Sequence, residues 1–161
     1  MKFKTFLAGC LGGLLSLNSC TNSPDMTDYA AYVNPFIGTG GHGHTFPGAI
    51  VPHGMISPSP DTRIDGWDAC SGYYYADSTI NGFSHTHLSG TGCCDYGDVL
   101  LMPTVGEQKY LPTGSQSQQM AYASAFSHQN ETAEPGYYSV FLDTYQVKAE
   151  PVSYTHLRAH E

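Results

Sequence analysis

The stretch PGYYSVFLDTYQVKAE, at residues 135–150, decides the fold class. Tyr137–Leu142 consists largely of aromatic and β-branched residues, which favour strands. Tyr145–Ala149 has a similar character and can pair back on the first segment through a turn at Asp143 and Thr144. This stretch therefore predicts an antiparallel hairpin.

Three more segments have the same character: Val33–Ile37, Gly48–Met55 and Val99–Pro103. Each is short, and each is bounded by glycine, proline, asparagine or aspartate. Apart from the first residues of the chain, no window of helical length carries apolar residues at spacings of three and four without glycine or proline. The chain is therefore predicted to be all-β, with an antiparallel β-sandwich as its architecture.

The N-terminus predicts export. Lys2 and Lys4 precede the apolar run FLAGCLGGLLSL, which is too short to span a bilayer but suits a secretory signal. The run ends in LNSC, which resembles a bacterial lipobox, so residues 1–19 are expected to be a lipoprotein signal peptide. Cys20 would then carry the lipid, in the periplasm or at the outer-membrane surface, followed by a linker to residue 29. The alternative is ordinary signal-peptidase cleavage, in which Cys20 has no role.

Charge and cysteine content limit the partners. The formal net charge is −8, and loss of the leader lysines makes it more negative, which disfavours nucleic acid and anionic headgroups. The expected membrane contact is therefore through the lipid anchor alone. Cys70, Cys93 and Cys94 remain after processing, so at most one internal disulfide can form, and the sequence leaves its existence open.

Three blocks predict a binding site for a small molecule: residues 33–48, 66–78 and 82–98. They interleave glycine, histidine, aromatic and acidic residues with almost no lysine, a composition typical of loops that approach a ligand closely. The polar and aromatic mixture favours a sugar. Trp67 could stack on a sugar face while Asp68 accepts from hydroxyls, although a tryptophan that plugs the end of the sandwich is an equal alternative.

Other chemistries fit the motifs less well. Gly38–Gly43 matches G-x-G-x-x-G, but the prolines and glycines that follow exclude the helix that a dinucleotide site requires. Ser84 and Ser89 lack the G-x-S-x-G nucleophile elbow. His85 and His87 could be metal ligands on one face of a strand, yet the surrounding spacing is unlike that of known zinc sites.

A pair of carboxylates could hydrolyse a glycoside, but nothing in the sequence selects one pair as acid and base. The candidates are Asp61, Asp65, Asp68, Asp95 and Asp98. Most of them stand where aspartate commonly forms turns.

Long motifs in the chain resemble the N-terminal domain of glycoside hydrolase family 92, the secreted bacterial exo-acting α-mannosidases. The motifs are VNPFIGTGGHGHTFPGA at 33–49, SPDTR at 59–63, GWDACSGY at 66–73, GFSHTHLSGTGC at 82–93, GDVLLMP at 97–103 and PGYYSVFLDTYQVKAE at 135–150. The resemblance covers residues 30–150.

This resemblance implies a β-sandwich that packs on an (α/α)₆ barrel and removes terminal α-linked mannose with inversion, using calcium. It places the acid, the base and the calcium ligands in the barrel, so no catalytic or metal-binding residue is expected in this chain. It also implies that sandwich loops reach mannose-containing glycans. The matching positions are Trp67 and Asp68 as a pocket wall, Arg63 as a donor to hydroxyls, and His85, His87, Gly90 and Thr91 in the adjacent loop.

Two departures from the family pattern stand out. Cys94 occupies a position where the family more often has glycine, and the resemblance ends after Glu150. Pro151 then removes a backbone donor where a central strand should continue, and residues 151–161 do not resemble the family.

The expected protein is therefore a fragment, at residues 30–150, of a lipid-anchored α-mannosidase, inactive by itself. One alternative is a surface lipoprotein that binds glycans without cleaving them. Another is a periplasmic metal-binding module built on His85 and His87.

Overall fold

A computed structural model describes residues 27–63, 65–109, 119–152 and 156–160. Within these ranges there is no α-helix, and no helix is long and apolar enough to cross a membrane. The strands are β1 (Ser59–Asp61), β2 (Thr79–Ile80), β3 (Gly82–Ser84), β4 (Ser124–Ala125), β5 (Glu131–Glu134), β6 (Tyr137–Leu142), β7 (Val147–Val152) and β8 (His156–His160). Three 3₁₀ turns complete the elements: Tyr29–Tyr32, Trp67–Ala69 and His128–Asn130. The predicted signal peptide and Cys20 lie outside the described residues.

The predicted all-β fold is confirmed, and the hairpin is its centre. Strands β5, β6, β7 and β8 form one antiparallel sheet in that order. Val140 pairs with Ala149, and Leu142 with Val147, so the connecting turn spans four residues rather than the two expected. The wider turn has a local cause, since Gln146 adopts a positive φ of 55°.

The core lies between this sheet and two small antiparallel pairs, β1 with β3 and β2 with β4. Alternate residues of β6 and β7 point inward, as a half-buried sheet requires. The core cluster consists of Phe46, Ala49, Tyr73, Ile80, Phe83, Phe126, Tyr138, Val140, Leu142 and Ala149. The two layers therefore share one hydrophobic interior, as in a sandwich.

The strand predicted at Val33–Ile37 is wrong. The segment follows a 3₁₀ turn and runs into consecutive tight turns. The Asn34 side chain accepts from the amide of Phe36, and its carbonyl accepts from Ile37. Asparagine's tendency to bond its own following backbone has prevailed over the strand preference of the apolar residues.

The predictions for Gly48–Met55 and Val99–Pro103 are also wrong. The first segment turns at His53, which has a φ of 66°, and Gly54 donates to the carbonyl of Val51. The second begins with Val99 at a φ of 55°, and its only pairing within the described residues is a single bridge from Leu101 to Phe83. Neither segment sustains the extended backbone that a ladder needs.

Strand β7 continues past Glu150, where the sequence predicted that the sandwich strands would end. It runs to Val152 and pairs with β8, with Pro151 opposite Leu157. The ladder between β6 and β7 extends from Leu142–Val147 to Val140–Ala149, so the missing amide of Pro151 falls beyond it. Proline is therefore accommodated within this strand.

Candidate functional site

Trp67 is the centre of an aromatic cluster at the surface. It begins the turn Trp67–Ala69, and 58% of its surface is exposed. The ring of His44 meets it edge-on at 4.6 Å between centroids, and that of His42 lies at 5.1 Å. Asp68 is 2.6 Å from Nδ1 of His42. The exposed ring is held from the side, which argues against the alternative of a buried plug.

The two histidines are presented by a tight glycine loop. Gly38 has a φ of 82°, and its carbonyl accepts from the amide of Thr45. A side chain at Gly43 would lie 2.1 Å from that same carbonyl oxygen, so the loop closes only with glycine there. The G-x-G-x-x-G match thus forms a turn that carries His42 and His44, and no helix follows it.

The loop that contains Gly90 and Thr91 closes over the same cluster. The Gly90 amide donates to the carbonyl of His44 at 2.5 Å. A Cβ at Gly92 would be 3.0 Å from Nε1 of Trp67. Thr91 accepts from the amide of Cys93, which shapes the loop without touching the ring. Among the predicted site residues, the structure therefore brings Trp67, Asp68 and Gly90 together. We call this group, with His42 and His44, the tryptophan cluster.

A cleft of about 190 Å³ lies on the other side of the Trp67–Ala69 turn. Ala69 and Cys70 form the shared wall, and Cys94, which also lines the cleft, donates its thiol to the carbonyl of Gly66. The other lining residues are Asp61, Arg63, Asp65, Ser71, Gly72, His87, Asp95, Tyr96, Gly97 and Leu100. The cleft is thus mostly polar and is joined to the tryptophan cluster by one short turn.

His87 is fixed from both ring nitrogens. Its Nδ1 is 2.8 Å from the carbonyl oxygen of Ser57, which can only accept, so Nδ1 carries a proton. Its Nε2 faces Oδ1 of Asp61 at 2.9 Å and Oγ of Ser84 at 2.8 Å. A serine-hydrolase triad needs the carboxylate on the other nitrogen, so this group is not one. It is a buried group of hydrogen-bonded polar side chains in the wall of the cleft.

Two buried side-chain atoms near the site have no hydrogen-bond partner among the residues that the structure describes. Oγ of Ser71 lies in the wall of the cleft, and the residue is 2% exposed. Nε2 of His44, beside Trp67, is the other. Because buried polar atoms are normally paired, a hydroxyl-rich ligand or ordered water is the natural partner for each.

Arg63 makes structural contacts that the resemblance did not imply. It donates in a fork to both oxygens of Asp77 at 2.8 Å and lies 4.2 Å above the ring of Tyr74. The hydrogen bond to Asp77 raises the pKa of the Arg63 guanidinium. Arg63 also lines the cleft, and its assignment as a donor to sugar hydroxyls stays a prediction.

His85 does not join either part of the site. Its Nδ1 is 2.8 Å from the carbonyl of Val99, in a different direction from His87. Within the described ranges, no group of three or more His, Cys, Asp and Glu residues could hold a metal ion. The described residues therefore do not fit a calcium site.

The sequence missed His42 and His44 as site residues, and it also missed Ser71. The two histidines stand in the glycine-rich block, but the ring that they contact, Trp67, lies more than twenty residues further along the chain. Cys70 was expected only as packing, and its buried Sγ lies 3.1 Å from Nδ1 of His44. Burial raises the pKa of the Cys70 thiol, which therefore stays protonated and supports the imidazole.

Comparisons with known proteins agree on one family. Residues 32–159 match the profile described as "Glycosyl hydrolase family 92 N-terminal domain". An α-mannosidase of that family from Bacteroides thetaiotaomicron, solved in complex with mannoimidazole, is 50% identical with a TM-score of 0.71 over 77% of this chain. An inverting mannosidase from Bacteroides thetaiotaomicron VPI-5482 is 31% identical with a TM-score of 0.58 over 80% of the chain.

A curated relative, called an uncharacterized secreted glycosidase, comes from the fungus Arthroderma benhamiae. It is 32% identical over 117 residues, or 72% of this chain. The chain spans only 15% of that protein, and 16% and 17% of the two solved mannosidases. The profile match reaches residue 159, beyond the boundary that the motifs suggested at Glu150.

Proposed function

Because the chain belongs to glycosyl hydrolase family 92, of which it carries the N-terminal domain, we propose that it is part of an α-mannosidase that removes terminal α-linked mannose from glycans. In this proposal the described loops bind the sugar and exclude water from one side of it. The acid and base that cleave the bond come from outside these 161 residues, as inverting hydrolysis needs two carboxylates about 6.5–9.5 Å apart across the sugar.

The tryptophan cluster is the observation that carries the proposal. An exposed indole held by His42 and His44 offers a flat apolar face, while Asp68 beside it offers a hydrogen-bond acceptor. Pyranose rings have apolar faces and hydroxyl edges, so this pairing suits them. Oγ of Ser71 in the adjoining cleft provides a further polar contact for a second hydroxyl group.

Two finer features belong to the same proposal. The mature protein is anchored through lipid on Cys20 at the periplasmic or outer-membrane surface, which the leader and the lipobox support. A calcium ion is part of the same proposal, and the described residues do not supply its ligands. When bound, such a cation would polarise sugar hydroxyls.

The runner-up function is glycan binding without cleavage. The same cluster would serve it, so only turnover separates the two functions. The test of turnover is to express the full-length protein that contains these residues and to supply an aryl α-mannoside, with and without a chelator. We expect release of the phenol, and loss of release after chelation. Binding without release would favour the runner-up.

Binding by the loops can be tested on the chain itself. Trp67 is the only tryptophan, so its fluorescence reports on the cluster directly. Methyl α-mannoside should give a saturable change in emission, whereas methyl β-galactoside should give a much weaker one. A flat titration with both sugars, together with an inactive full-length protein, would contradict the proposed function.

A further inference from the structure

The short segment at residues 90–92 covers the nitrogen atoms of the two central rings of the tryptophan cluster. A Cβ added at Gly92 would lie 3.0 Å from Nε1 of Trp67 and 3.5 Å from Nε2 of His44, so the backbone there already lies against both rings. Nε2 of His44 is buried and has no hydrogen-bond partner among the residues that the structure describes. Gly92 therefore helps to close off a polar nitrogen without giving it a partner.

Cys70 determines which nitrogen of His44 carries the ring hydrogen. Its Sγ lies 3.1 Å from Nδ1 of His44, and burial raises the pKa of the thiol, which therefore keeps its proton. Because an imidazole nitrogen is a stronger acceptor than a thiol sulfur, the thiol donates to Nδ1 and the ring hydrogen is on Nε2. The covered atom is thus a donor, and its natural partner is an acceptor such as a hydroxyl oxygen.

The unpaired donor makes the closed arrangement of this segment unfavourable. Buried polar groups are nearly always hydrogen-bonded, because burial removes the water that would otherwise bond to them. If Gly92 moved away from the rings, Nε2 of His44 could bond to water or to a ligand oxygen. The closed arrangement therefore carries a penalty that an open one avoids.

Little holds the segment in its closed position. Within the described residues, its backbone makes one hydrogen bond to residues 38–45, from the amide of Gly90 to the carbonyl of His44. Gly90 and Thr91 are both exposed, and a Cβ added at Gly90 would meet nothing within 4 Å. The segment can therefore move outward without disturbing the hydrophobic core.

We propose that residues 90–92 form a lid over the ring nitrogens of Trp67 and His44, and that a hydroxyl-bearing ligand reaches Nε2 of His44 only when this lid lifts. The donor on Nε2 then bonds to a ligand oxygen, while the exposed face of Trp67 remains available for stacking. That the ligand is a mannoside rests on the proposed function, whereas the lid itself does not. The contrasting arrangement is a fixed wall, in which these residues shape the site and do not move.

Gly92→Ala distinguishes a lid from a fixed wall. The added methyl group meets the rings of Trp67 and His44, so it should hold the lid away from them. Because a ligand then no longer has to open the lid, the dissociation constant for methyl α-mannoside, followed by Trp67 fluorescence, should fall at least about threefold. Unchanged or weaker binding would identify a fixed wall and overturn the lid.

Gly106→Ala is the matched control for this variant. Gly106 has a φ of 88°, comparable with 67° at Gly92, but a Cβ added there would meet nothing within 4 Å. The control therefore introduces the same kind of backbone strain without any contact to the rings. It should bind methyl α-mannoside as the wild-type chain does.

Two measurements decide the lid without sugar. Acrylamide should quench the fluorescence of Trp67 more strongly in Gly92→Ala than in Gly106→Ala, since the indole nitrogen loses its cover. In the wild-type chain, the Gly90 amide should exchange with solvent at least about 100-fold faster than the amide of Phe83, which bonds to the carbonyl of Leu101. Equal quenching of the two variants, or equal protection of the two amides, would overturn the lid.

These measurements also separate the lid from the proposed function. If none of the chains binds the mannoside, the proposed function fails, and quenching and amide exchange still decide the lid. If Gly92→Ala does not fold, amide exchange in the wild-type chain decides it alone.

Discussion

At the scale of single residues, Gly72 lies in the wall of the cleft, directly against the buried pair of Asp61 and His87. Its φ is 91°, and an added Cβ would lie 2.2 Å from Oδ1 of Asp61 and 3.1 Å from the ring of His87. Both the backbone conformation and the contact therefore demand glycine. The buried pair of Asp61 and His87 can keep its geometry only because this position has no side chain.

We predict that Gly72→Ala destabilises the chain by about 2 kcal/mol or more, because strained backbone adds to the displaced carboxylate. Gly106→Ala is the matched control. Gly106 has a φ of 88° but nothing within 4 Å of an added Cβ, so it isolates the backbone strain. Chemical denaturation of both variants measures the difference. If the two variants lose the same unfolding free energy, the contact between Asp61 and His87 can be displaced without cost to stability.

Trp67 carries the prediction for sugar binding. In the full-length enzyme, Trp67→Ala should reduce kcat/KM for an α-mannoside about fivefold, since an aromatic contact contributes about 1 kcal/mol. Tyr32→Ala, which removes an even more exposed aromatic ring from the Tyr29–Tyr32 turn, should leave kcat/KM unchanged. Thermal melting is the second measurement. Intact kinetics with a large loss of stability would assign Trp67 to structure instead.

At the scale of elements, Tyr73 and Tyr138 tie the site segment to strand β6 through a carboxylate. Burial, followed by the charge of Glu131, raises the pKa of both phenols above the ordinary value near 10. In the unfolded chain both tyrosines ionise above about pH 10, whereas the folded chain keeps their protons. Their contribution to stability is therefore complete below pH 10 and is lost as the pH rises beyond it.

We predict that the unfolding free energy falls with pH above about 10, by up to about 1.4 kcal/mol per pH unit for each of the two tyrosines. Urea denaturation at a series of alkaline pH values measures the slope. The double variant Tyr73→Phe and Tyr138→Phe should have a shallower slope, although its free energy below pH 10 is also lower. Tyr29→Phe alters an exposed ring and should retain the wild-type slope.

The elements that the sequence predicted correctly are those whose partners are close in the chain. Strand β6 and its hairpin were predictable because alternation and a turn are local properties. The segments Val33–Ile37 and Gly48–Met55 have strand-like composition, yet turns at Asn34 and His53 decide their conformation. Both turns are closed by hydrogen bonds within the segment itself, and composition alone does not show that these bonds outweigh the strand preference of the apolar residues.

The site residues also divide into those that local sequence indicates and those that depend on contacts with distant parts of the chain. Trp67 and Asp68 could be singled out from the chemistry of an amphipathic ring beside a carboxylate, and their sugar-binding role stays a prediction. His42 and Ser71 were not, because one is defined by a contact across 26 residues and the other by the absence of a partner. The two hydrogen bonds from Arg63 to Asp77 were not predictable from the sequence, because they depend on how two loops meet.

At the scale of the whole molecule, the proposed lipid anchor at Cys20 would decide where the protein is located. We predict that Cys20 carries two or three acyl chains, since one chain alone binds a membrane only reversibly. Metabolic labelling with a palmitate analogue should mark the wild-type protein and leave Cys20→Ala unmarked. Cys10→Ala is the matched control, because it alters a cysteine inside the predicted leader. Equal labelling of all three proteins would show that the lipobox is not used.

The meander of β5 to β8 also has a consequence for the order in which the chain assembles. Its strands pair with their sequence neighbours, so little loop entropy opposes their early formation. The loops around Trp67 depend on distant partners, and the phenol of Tyr73 reaches Glu131 across 58 residues. During synthesis these loops leave the ribosome first but acquire their support last. A growing chain therefore exposes the loops around Trp67 without this support until the C-terminal sheet emerges to receive them.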